Sequence, residues 1–105
     1  MAIDRNTGEV ITLSEAVNYT HSFQEEHSNA IKSFFVGTNK LNRILEQEGC
    51  IGVRIYNGYD TATNKENRVL VGVDASGEDI SGGVIVEELT PCPTACPKAS
   101  PLIKP

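Results

Sequence analysis

Three cysteines and two histidines are the side chains in this sequence whose chemistry invites a role. Cys92 and Cys96 sit in the run Pro91-Cys92-Pro93-Thr94-Ala95-Cys96-Pro97, and Cys50 lies far upstream. Two thiolates at that spacing can chelate one ion. Cys50 supplies a third ligand and His21 or His27 a fourth, which makes the tetrahedral set that zinc takes. Structural zinc sites usually draw on two close ligand pairs, however, and this chain has one. A reversible Cys92–Cys96 disulfide is a second reading. The thioredoxin-type motif has two intervening residues and opens a helix whose dipole acidifies the thiol. Here three residues intervene, and Pro93 and Pro97 oppose a long helix. The preferred reading is the plain one: Cys50 is a small buried residue and the tail cysteines pack as weak hydrophobes.

The remaining candidates are weaker. No serine, cysteine or acid is tied to either histidine by a known motif. Asp74-Ala75-Ser76-Gly77-Glu78-Asp79 is oxygen-rich but lacks the spacing of a calcium loop, and reads as a turn. Glu25-Glu26 and Glu87-Glu88 read as solvated surface. There is no glycine-rich phosphate loop. The polar segment 57–67 is long enough to border a site, yet no constellation of residues assembles an enzyme around it.

A chain of 105 residues is read as one domain with a modest core. Its net charge of −5 and scattered basic residues argue against a nucleic-acid partner, because phosphate contacts need Lys and Arg in excess. The N-terminus lacks the apolar run of a secretory signal, and no stretch approaches a membrane span, so a cytoplasmic protein with no membrane contact is expected. Thiols are usually reduced there, which argues against a disulfide framework. Asn18-Tyr19-Thr20 matches a glycosylation sequon by chance.

The elements that must position these residues follow from periodicity. Thr12-Leu13-Ser14-Glu15 has capping-box spacing and opens a helix over 13–27. Its apolar face is Leu13, Ala16, Val17, Thr20 and His27, with Phe23 and His21 at the margin. Residues 31–36 are rich in strand formers and predict an edge strand. Thr38 or Asn39 caps a second helix with Leu41, Ile44 and Leu45 on its stripe, and Gly49 is placed for a left-handed end. Ile51, Val53 and Ile55, then Val69, Val71 and Val73, alternate with other residues. They predict two antiparallel strands with these six on one face. Gly52 and Gly72 then share the other face, where a helix or the tail approaches closely. Residues 57–67 form a long exposed loop, Gly77 takes positive φ in a turn, and Val84–Leu89 adds a strand. All five prolines fall in 91–105, which predicts an extended tail.

The stretch Gln47-Glu48-Gly49-Cys50-Ile51-Gly52-Val53-Arg54-Ile55-Tyr56, followed by Val69-Leu70-Val71-Gly72-Val73 and the Pro91-Cys92-Pro93 to Cys96 tail, resembles a group of short Bacteroidota proteins known only as uncharacterised sequences. The resemblance spans about residues 12–97. It implies a bacterial, cytoplasmic protein in which strands and tail form one design, and it carries over no activity and no site residues.

The expectation is therefore an α+β fold: two helices packed on a three- to four-stranded, mostly antiparallel sheet. Residues 1–90 form the domain and 91–105 a Pro/Cys-rich tail. The expected function is a non-enzymatic interaction or structural module that self-associates through its tail or a sheet edge. The alternative is a metal- or redox-responsive protein using Cys50, Cys92 and Cys96, with zinc as the metal.

Overall fold

The computed structural model describes residues 2–105 and has the expected α+β class. Its helices are α1 (Leu13–Glu26) and α2 (Thr38–Leu45). Its strands are β1 (Ser33–Phe35), β2 (Gly52–Asp60), β3 (Lys65–Val73), β4 (Ile85–Val86) and β5 (Thr90–Cys92). They form two sheets rather than one: a two-stranded β1-β5 sheet and a three-stranded sheet in the order β2-β3-β4. The chain divides into two compact units. One comprises the residues up to Thr7 with Phe35–Leu89, and the other comprises Gly8–Phe34 with Thr90–Pro105.

In the second unit, α1 starts at the expected capping box. Glu15 N donates to Thr12 Oγ1 at 3.1 Å and Thr12 N to Glu15 Oε1 at 3.0 Å. Two otherwise unpaired amides are satisfied reciprocally. The protected face differs from the predicted one. Leu13 and His27 are exposed, whereas Ala16, Val17, Thr20 and His21 are half-buried around a buried Gln24. The reason is what this face holds. Gln24 Nε2 donates to Leu102 O at 3.0 Å, and Gln24 Oε1 accepts from Lys104 N at 2.7 Å. His21 Nε2 lies 2.9 Å from Pro101 O. A proline-rich segment brings polar backbone that must be satisfied, and an amide side chain serves it as a strand neighbour would. The tail also contributes β5, with Lys32 N donating to Cys92 O at 2.7 Å.

In the first unit, α2 begins after Gly37 with no side-chain cap, so neither Thr38 nor Asn39 plays the predicted part. Gly49 has the expected left-handed φ of 79°. Ile44 is fully buried and clusters with Cys50, Leu70 and Val86. Leu41, Val53, Ile80, Val84 and Leu89 pack around that cluster.

The register of the β2–β3 pair corrects the predicted faces. Val53 lies opposite Gly72, Ile55 opposite Leu70, and Arg54 opposite Val71. Directly opposed residues share a face. Val53, Ile55, Leu70 and Gly72 therefore face α2, and Val69, Val71 and Val73 lie on the reverse side with Gly52, Arg54 and Tyr56. Gly52 and Gly72 are likewise on opposite faces. Period-two alternation identifies the two sets within each strand, but only the pairing decides which sets meet. Gly72 is where α2 comes close: a Cβ there would lie 2.8 Å from Gln47 Nε2 and 3.3 Å from Ile44 Cγ2. Gln47 uses the space, donating to Ile44 O at 2.9 Å and accepting from Val84 N at 2.7 Å, which ties α2 to the approach of β4.

Candidate interaction surface

The predicted long loop over 57–67 is largely strand. Asn57 pairs with Arg68, Gly58 with Asn67, Tyr59 with Glu66 and Asp60 with Lys65, leaving only residues 61–64 as the turn. Asp60 Oδ1 accepts from Ala62 N at 2.9 Å, and Asn64 takes a left-handed φ of 56°. Apart from Tyr59 and Gly58 this distal ribbon carries polar side chains, so no alternation marks it in the sequence. Asp60 and Lys65 stand directly opposite at its end, a pairing of unlike charges that favours this register.

β4 pairs with β3 only at Leu70 and Val71. Within its sheet, the ribbon from Asn57 to Arg68 therefore has neither edge covered, and β2 is an edge strand along its whole length. β2 contains no Lys or Pro, the residues that commonly blunt an edge. It instead exposes large apolar groups: Ile55 is 63% exposed, Tyr59 58% and Tyr56 46%. Alongside its first half lies a cleft of about 400 Å³. Five consecutive residues, Ile51 to Ile55, line it together with Val73 of β3. Ile3 and Arg5 also line it, from a turn closed by Thr7 N donating to Asp4 O at 3.2 Å.

A polar cluster braces the same strand. Arg54 Nη1 donates to Asp79 Oδ1 at 2.5 Å and to Gly77 O at 3.3 Å, and the Tyr56 hydroxyl donates to Asp79 Oδ2. Gly77 sits in the predicted turn with φ 85°, and Asp74 Oδ1 accepts from Ser76 N and Glu78 N. The Tyr56 hydroxyl and the Arg54 guanidinium hold the Asp79 carboxyl below the ordinary range, and the bond to Asp79 pushes the Tyr56 phenol up. The sign of each effect on stability follows. A depressed carboxyl stabilises the fold above its unfolded pKa, and that contribution is lost as pH falls through the folded value. A raised phenol stabilises below its unfolded pKa, and its contribution is lost as pH rises through the folded value. Asp79→Asn is expected to flatten both flanks. Urea melts across pH check the acid side, and ultraviolet titration of the tyrosines should show the late-ionising one reverting toward an ordinary phenol.

Two of the three cysteines are bonded to each other. Cys92 and Cys96 are joined in a disulfide with Cα atoms 4.8 Å apart, so they do not pack as separate thiols as preferred from the sequence. The close spacing and a turn closed by Ala95 N donating to Pro91 O at 3.0 Å bring the two sulfurs together. Cys92 is buried and Cys96 exposed. Cys50 belongs to the other unit, is buried as expected, and donates its thiol to Gly52 O at 3.2 Å. Among the described residues no three His, Cys, Asp or Glu side chains gather to hold a metal ion. His21 is engaged with the tail, and the exposed His27 ring lies 4.7 Å from that of Phe23. No described helix is long and apolar enough to cross a membrane.

The Arg54–Tyr56–Asp79 cluster escaped sequence reasoning. Its only signal was two polar residues alternating on a strand, and the partner acid lies 25 residues from Arg54. No family model, curated protein or solved structure matches this chain.

Proposed function

We propose that the protein is a non-enzymatic interaction module that self-associates through the open edge of β2. The observation that carries this reading is a nine-residue edge strand, rigidly braced at Arg54 and Tyr56, that presents Ile55 and Tyr59 to solvent beside a cleft. An uncovered strand of this kind recruits another strand, gaining backbone hydrogen bonds and apolar anchors together. The tail, the other route considered for association, has its backbone engaged by Gln24 and His21.

Light scattering tests this directly. The parent chain should be at least dimeric at high micromolar concentration. Ile55→Lys combined with Tyr59→Lys should lower the mass to a monomer with little change in melting, since both side chains are already exposed. A monomeric parent, or a double variant with undiminished mass, rejects the reading.

A second reading, a redox-responsive tail, is supported by the Cys92–Cys96 bond with its exposed Cys96. Thiol alkylation before and after treatment with a dithiol reductant reads the state of that pair.

A further inference from the structure

Resting on the edge-strand reading above, we propose that the partner is a second copy of this chain, and that the two β2 strands pair antiparallel about a two-fold axis at Asn57. Identical antiparallel strands meet isologously, so each contact occurs twice. With Asn57 at the centre, Tyr56 lies opposite the partner copy's residue 58, a glycine. Ile55 lies opposite the tyrosine at position 59, and Arg54 opposite the aspartate at position 60. The last two pairs are favourable, and the first sets no side chain against Tyr56, whose hydroxyl stays bonded to Asp79. An aromatic ring beside a β-branched side chain is a stabilising cross-strand pair, as are opposite charges.

The neighbouring registers lack this fit. A one-residue slip puts the faces out of match. Centring on Tyr56 sets Arg54 against glycine and Ile55 against asparagine. Centring on Gly58 sets Tyr56 against aspartate and Ile55 against threonine. The groups needed for the Asn57 register also have capacity to spare. Asp60 uses Oδ1 for Ala62 N, which leaves its second oxygen for a guanidinium. The Arg54 side chain is 35% exposed beyond its contacts with Asp79 and Gly77. The cleft lined by Gly52 to Ile55 lies where the partner's Tyr59 would arrive. Pairing merges the two three-stranded sheets into one continuous sheet with β2 and its copy at the centre.

Cysteine cross-linking of the full-length chain tests the register. Directly opposed residues in an antiparallel pair bring their Cα atoms to about 4.5–5.5 Å, within disulfide range. Asn57→Cys should become mostly covalent dimer under mild oxidation. Ile55→Cys and Tyr59→Cys should each stay unlinked alone, and should link to one another when mixed. The parent chain, whose Cys50 is buried, is the control for background. Self-linking at Tyr56→Cys or Gly58→Cys in place of Asn57→Cys overturns this register and leaves the edge-strand reading intact. A parent that scatters as a monomer and yields no cross-link at any of these positions overturns both.

Discussion

Leu70→Asp is expected to leave the chain unfolded in buffer, whereas Val71→Asp should survive as a weakened fold. Both valine and leucine positions are only 4% exposed, so burial alone does not separate them. Their faces do. Leu70 points at Ile44, Cys50 and Val86, a cluster with no charge to meet a carboxylate. Burying an unpaired charge costs about 3–5 kcal/mol in practice, against a total stability of about 5–15 kcal/mol for a domain of this kind. Val71 lies opposite Arg54. An aspartate there gains a guanidinium within cross-strand reach, which offsets part of the desolvation. Circular dichroism and urea melts of the two variants give the ordering. The reverse ordering would mean that β2 and β3 are paired one residue out of the register described.

The second large effect is steric. Gly72→Val should destabilise by about 1–3 kcal/mol, the usual cost of overpacking a filled core. Its Cβ would crowd Gln47, Cys50 and Ile44, the nearest atom being 2.8 Å away. Gly52→Val is the control. Among the described residues no heavy atom lies within 4 Å of a Cβ built there, and a β-branched residue suits a strand, so its effect should stay within about 0.5 kcal/mol of neutral. Equal losses at the two glycines would remove α2 from the face assigned to it.

Local rules made some of this protein legible. The capping box at Thr12 and Glu15, the left-handed Gly49 and Gly77, the two helices and the β2–β3 pair all depend on groups a few residues apart, or on one strand's alternation. The burial of Ile44 followed from the same patterns, and that of Cys50 from its residue type. What tertiary structure alone decided is which residues meet. The choice between Val53 opposite Gly72 and Val53 beside Val71 is a one-residue matter that alternation cannot express, since both strands alternate either way. The distal ribbon was invisible because neither of its faces is apolar. Gln24 and Gln47 gave no sign of their roles, because an amide that serves a distant backbone looks in sequence like any surface glutamine. The candidate site shares that limit. Arg54, Tyr56 and Asp79 come together through a turn that folds residue 79 back beside β3, opposite Val73, and an edge is a property of a sheet's order, which no stretch of sequence contains by itself.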